Sequence, residues 1–192
     1  MLNLEGKGPL RFFSSEMSDS LEREYKYFLE VYEALVRAKE VSLAQQIAVS
    51  SAKHFVVSAA SEFEMKVRDI LSQWIRSRTK CVMTHSFVDL SLVRGYHTLF
   101  DWNESGEKGV YTFLSKFGKE FKDRIKAKIG ADENIKQGAQ DFMFLGNTRN
   151  LLVHNDYSNY PLAITLDEGW GKYSRAKIFV DFVEESLKIR KA

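Results

Sequence analysis

The sequence predicts an all-α fold, a single helical bundle of about five helices, and three observations carry that expectation. Apolar residues recur in steps of three and four through long stretches rich in Ala, Glu, Lys, Leu and Phe, the period that gathers side chains on one helical face. The chain has two prolines and eleven glycines, little of the turn chemistry that many short strands require. Its 192 residues, 44% hydrophobic and 28% charged, suffice for one well-formed core and are short for two.

Residues 1–17, with Gly6, Gly8 and Pro9, read as a flexible N-terminal arm, and residues 18–192 as the helical domain. Ser18 to Ser20 can cap a first helix over about 20–39, with Glu22 and Glu24 near its positive end and Tyr25, Phe28, Leu29, Tyr32, Leu35 and Val36 at helical spacing. Ala52, Phe55, Val56, Ala59, Phe63, Val67, Ile70 and Trp74 predict a long central helix over about 42–77. Residues 80–106 are less regular and read as one short helix followed by a loop at Asn103 to Gly109. Order returns at 109–129, where Phe113, Phe117, Phe121 and Ile125 share a stripe. Lys116, Lys119, Lys122, Arg124, Lys126 and Lys128 occupy the other positions. That set is either a solvated face or a phosphate-attracting surface, with Lys119, Lys122 and Lys126 the candidate RNA contacts. Ile135, Ala139, Phe142, Leu145, Leu152 and Val153 mark a helix over about 133–154, and a loop broken by Pro161 follows. Thr165 and Glu168 form a capping-box pattern ahead of Trp170, Tyr173, Ala176, Phe179, Val180, Val183 and Leu187, with Gly169 and Gly171 weakening the first turn of this last helix.

The net charge of +2 is too mild to signal nucleic-acid binding without local clustering. The single cysteine, Cys81, cannot form an internal disulfide and reads as inert. Neither a signal-peptide core nor a run of about 18 apolar residues occurs, so the expected location is the cytoplasm, without membrane contact. His54, His85 and His97 are scattered, no metal-ligand spacing or phosphate loop appears, and no cofactor or metal is expected. Nor is there a nucleophile elbow or a cysteine-histidine pair that would point to a hydrolase.

One residue breaks the apolar pattern. In FLGNTRNLLVHNDY, residues 144–157, the steps Phe142, Leu145, Arg149, Leu152 set an arginine in the apolar stripe itself. Buried charge is costly unless paired, so Arg149 requires either a partner or a task. Gly146, one turn earlier, reads as making room for it. Asn150 and His154 stack at i and i+4, where the amide can orient the imidazole, whereas Arg149 lies about 140° from His154 around an ideal helix. Convergence of those two needs a frayed last turn, the reach of the arginine, or two copies of the helix in a dimer. A histidine moves protons near neutral pH and an arginine holds phosphate and the charge growing on it. Together they suffice for RNA cleavage by attack of a ribose 2′-OH on the adjacent phosphorus, with no metal.

Arg149-Asn150-Leu151-Leu152-Val153-His154 resembles the R-x4-6-H signature of the HEPN superfamily, in which a polar residue, often Asn, follows the arginine. The resemblance covers about residues 20–190 and implies a compact helical bundle with the motif near the end of a late helix. It also implies a homodimer in which two motifs face each other, metal-independent endoribonuclease activity, and a role as a toxin or antiviral defence effector with a possible antitoxin or defence-system partner protein. Carried onto this chain, Arg149 contacts the scissile phosphate, Asn150 positions the site and His154 is the general acid or base. The branch whose toxins are adenylylated has a tyrosine two residues after the histidine. Here Asp156 stands there and Tyr157 one place later, so no such switch is assigned. Arg78 and His85, with Thr79 as polar follower, also satisfy the spacing but lie where the long helix ends. The rival expectation is a non-catalytic helical module that binds a partner protein or a nucleotide, with Arg149 tied to a core carboxylate such as Glu62 or Glu64 and His154 favoured at a helix C-terminus by the dipole.

Overall fold

A computed structural model describes residues 13–104 and 106–188, with side chains from Ser20 onward. The described residues form seven α-helices and a 3-10 turn, with no strand among them: α1 (Phe13–Arg37), α2 (Val41–Arg78), α3 (Val82–Gly95), the turn Tyr96–Thr98, α4 (Lys108–Ser115), α5 (Lys119–Ala131), α6 (Glu133–His154) and α7 (Leu166–Lys188). The all-α expectation holds, with seven helices in place of about five.

Two local features account for the difference. The helix expected over 109–129 is divided at Gly118, whose φ of +94° is open to glycine and strained for other residues. That turn starts α5 in a new direction. The short helix expected within 80–106 is a full element of fourteen residues, α3. Its pattern was hard to read because none of its residues is buried, so no core imposes a period on it. α3 is instead tied to α2 through Asp89, which accepts from Ser72 Oγ at 2.6 Å and pairs with Arg76. α1 begins at Phe13, inside the stretch read as an arm, and residues 1–12 lie outside the described residues.

α2 is the spine, packed against α1, α6 and α7, while α6 and α7 form the tightest pair. The core between them is aromatic: Phe63 stacks on Tyr173 with centroids 5.3 Å apart and meets Phe142 at 5.7 Å, and Phe142 meets Phe179 at 5.5 Å. Each such ring, removed from water, contributes on the order of 2 kcal/mol. The ends of the last two helices are set by side chains, as their sequences require. Asp132 caps α6 by accepting from the backbone N–H groups of Asn134 and Ile135. In the capping box before α7, the Glu168 N–H donates to Thr165 Oγ1 at 3.2 Å and the Thr165 N–H donates to Glu168 Oε2 at 2.7 Å. No helix among the described residues is long and apolar enough to cross a membrane.

Candidate functional site

α6 carries a buried carboxylate on the side that faces α7. Asp141, 1% exposed, accepts from Arg175 Nε at 2.6 Å, Lys172 Nζ at 3.0 Å and Gln137 Nε2 at 3.3 Å. The charge buried between α6 and α7 is therefore neutralised by α7. Two turns later Arg149 forms no salt bridge among the described residues; its Nη1 donates to the adjacent Asn150 Oδ1 at 3.2 Å. Of the two carboxylates the sequence offers Arg149, Glu64 pairs with Arg68 at 3.7 Å and Glu62 accepts from the Tyr173 hydroxyl at 2.8 Å. Burial raises the Glu62 carboxyl above the usual carboxylate range, against the opposing hydrogen bond from Tyr173 and the charges of Lys177 and Lys66.

Arg149 and Asn150 line a cavity of about 190 Å³ with Glu64 of α2, Tyr96 and His97 of the 3-10 turn, and Trp102. Its floor is fixed by a close approach at Gly146, where a Cβ would collide with the Trp102 indole. The room that the glycine provides is thus occupied by Trp102 rather than by Arg149. The indole Nε1–H donates to the His97 carbonyl at 3.0 Å, which holds the 3-10 turn over the cavity. Burial raises the Tyr96 phenol far above its ordinary range; Glu64 adds to the effect and Arg149 opposes it. Tyr96 is therefore a neutral hydroxyl in the wall. At about 190 Å³ the cavity falls below the range of roughly 300–1,000 Å³ typical of whole-ligand sites. It suits a single small group rather than a whole ligand.

His154 is the last residue of α6, is exposed, and is not among the residues lining this cavity. Asn150, which the spacing would have oriented toward His154, is engaged by Arg149 instead. The chain after His154 is held firmly. Asp156 Oδ1 accepts from the Ser158 and Asn159 N–H groups, and Lys53 of α2, only 5% exposed, donates to the carbonyls of Tyr157 and Ser158 at 2.9 Å each. Hydrogen bonds from Asn159 and the Ser158 N–H hold the Asp156 carboxyl below its usual range, with a smaller contribution from Lys53. Lys53 reads in the sequence as one more polar position on a long helix, and only the fold reveals what it reaches.

A family model described as RiboL-PSP-HEPN matches residues 20–188. The chain belongs to this HEPN family. No curated protein and no solved structure matches it. The matched span runs from α1 to the end of α7, so Arg149, Asn150 and His154 all lie within the HEPN domain. Of the three lysines expected to meet RNA, Lys119 lines a groove of about 810 Å³ beside Arg78, Arg124 and Trp74. Lys122 and Lys126 are not among the residues lining it, and Lys126 Nζ sits 5.1 Å from the Tyr111 ring centroid. The HEPN domain also separates the second match to the motif spacing: Arg78 ends α2 and lines this groove, whereas His85 belongs to α3 and is bonded to the Thr79 carbonyl at 2.8 Å. Tyr96, His97 and Trp102 had no sequence signal as neighbours of Arg149, since they come from the stretch with no readable period.

Proposed function

We propose that this HEPN domain is a metal-independent endoribonuclease that works as a homodimer and serves as a toxin or antiviral defence effector, restrained or activated by a partner protein. The observation that carries the reading is the state of Arg149: a half-buried guanidinium on the wall of an open cavity, bonded to Asn150 and to no carboxylate among the described residues. The two carboxylates the sequence offers a structural arginine are engaged elsewhere, Glu62 with the Tyr173 hydroxyl and Glu64 with Arg68. An arginine kept for a ligand is left available to an anion, and its planar fork suits a phosphate.

In the proposed reaction Arg149 holds the scissile phosphate and the negative charge that accumulates on its non-bridging oxygens. Asn150 fixes the guanidinium in place. The neutral imidazole of His154 takes the proton of the ribose 2′-OH as the oxygen attacks phosphorus, or in its protonated form delivers a proton to the departing 5′ oxygen. The products are a 2′,3′-cyclic phosphate and a free 5′-OH, and no water is consumed in this step.

The separation of His154 from the Arg149 cavity supports the dimer. A second copy would bring its own His154 to the cavity, and α3 provides a surface for docking it. Met83, Phe87 and Leu90, which fall on one stripe of α3, are 82%, 73% and 66% exposed. Val93 of the same helix lines the Arg149 cavity. An apolar face of this kind on a folded domain commonly marks a protein interface, and its end at the cavity is where the second motif is needed.

Wild type, Arg149→Ala and His154→Ala proteins, incubated with RNA in EDTA, test the reading through the fragment ends. Cleavage by the wild type alone, leaving 2′,3′-cyclic phosphate, is the expected result. Equal cleavage by the folded variants, or 3′-OH ends, would overturn it, and no cleavage by any of the three would leave the cavity as a binding site in a non-catalytic module.

A further inference from the structure

The groove of about 810 Å³ at the far end of α2 is separate from the Arg149 cavity and has no part in the chemistry above. Its lining combines two features. Trp74, Phe117 and Phe121 form a partly exposed aromatic run, with Trp74 edge-on to Phe117 at 5.3 Å and Phe117 5.1 Å from Phe121. Arg78, Lys119 and Arg124 surround it, exposed and in no ion pair with a carboxylate among the described residues; the Arg124 guanidinium lies 5.4 Å from the Phe121 centroid. Glu120 is the acidic lining residue, against three cations.

We infer that this groove is a binding site for single-stranded RNA, in which a base stacks on the Trp74–Phe117–Phe121 run while Arg78, Lys119 and Arg124 hold the flanking phosphates. Aromatic faces with interleaved cations are the general means of gripping an unpaired strand. An A-form duplex, with its bases already stacked on one another, has no free base face to offer here. The first turn of α5 adds to the site. Gly118 supplies no side-chain cap, so the helix presents uncapped N–H groups and the positive end of its dipole beside Lys119.

The position of the groove gives the inference a length scale. Arg78 and Glu64 are on one continuous helix, fourteen residues apart, which is about 21 Å, and they point within about 40° of each other around its axis. A strand held in the groove therefore reaches the Arg149 cavity within about six nucleotides if they remain stacked at about 3.4 Å each, and fewer if extended. The groove would hold substrate at a fixed distance from the scissile bond. The choice of RNA over DNA rests on the ribonuclease reading; the stacking site itself does not.

The test uses a labelled 2′-O-methyl oligoribonucleotide of ten residues, which cannot be cut through a 2′-OH, so that binding is measured apart from cleavage. Fluorescence anisotropy should show Trp74→Leu weakening binding about ten-fold. The exposed change Arg78→Gln, which carries little folding risk, should lower the slope of log affinity against log salt by about 0.7. Inorganic polyphosphate should compete poorly. Unchanged affinity and salt slope in the folded variants, or polyphosphate competing as well as the oligonucleotide, would overturn the site. Tight groove-dependent binding by a protein that cuts no RNA would uphold the groove and defeat the ribonuclease reading.

Discussion

Replacing Lys53 by Met should loosen the segment after His154 while leaving the helical core in place. Lys53 is 5% exposed and donates to the Tyr157 and Ser158 carbonyls at 2.9 Å each. Hydrogen bonds to a charged donor contribute about 1.5–3 kcal/mol apiece, which sets an upper bound of about 3–6 kcal/mol. Two effects reduce it. Tyr157 and Ser158 are exposed, so water can satisfy their carbonyls once the ammonium is gone, and methionine refills most of the space left by the lysine stem. A net loss of about 1–3 kcal/mol remains, local to the segment. At about 1.4 kcal/mol per factor of ten, the amides of Ser158, Asn159 and Tyr160 should exchange with solvent about 5 to 150 times faster in Lys53→Met. Amides in the middle of α6 should change much less. Hydrogen exchange followed by mass spectrometry reads both regions in one experiment. Unaltered exchange at 158–160 would refute the anchoring role, and acceleration spread evenly over α2, α6 and α7 would show that Lys53 supports the core instead.

Gly146→Ala should force Trp102 from its seat at a cost of about 1–3 kcal/mol, with a shift in tryptophan emission and loss of the Arg149 cavity; an unshifted spectrum would show that the indole packs elsewhere. Asp141→Ala should strand Lys172 and Arg175, whose side chains are 23% and 45% exposed and can rehydrate. The loss is then about 2–4 kcal/mol rather than the full cost of a buried pair, a fall in Tm of about 5–15 °C, and a fall under about 2 °C would contradict it. Burial raises the Glu62 carboxyl in the folded state. The native state therefore binds the proton more tightly than the unfolded chain, and stability is lost as pH rises from the ordinary glutamate range through the raised value. Glu62→Gln should gain on the wild type in denaturant titrations over that interval, and a gap that shrinks with rising pH would reverse the assigned sign.

The long helices were legible because the core imposes their period. The stripe on α2 from Ala52 to Ile70 is buried in the structure, and the box of Thr165 and Glu168 closes before α7. Where the core does not set the pattern, the sequence was ambiguous. α3 has no buried residue, and its apolar positions Met83, Phe87 and Leu90 face outward, so no interior gave the stretch a period to read. The break at Gly118 depends on a backbone angle that one glycine in a helical run does not announce. Arg149 stood out because a cation in an apolar stripe conflicts with its neighbours, and conflicts of this kind gather at working sites. Its companions Tyr96, His97 and Trp102 arrive by tertiary packing across about fifty residues of sequence, which no local pattern encodes. The room at Gly146 was foreseen and its occupant was not, since a small residue records that something comes close without recording what.

The central claim is that Arg149 of one copy works with His154 of another, and mixing two inactive proteins tests it most directly. Arg149→Ala and His154→Ala, each purified and shown to be folded and silent, are combined in equal amounts under conditions that allow subunits to exchange. Random exchange makes about half of the dimers mixed, each with one complete site of two, so about a quarter of wild-type cleavage should return. Continued silence, with exchange confirmed by differently tagged subunits, would contradict a site shared between copies.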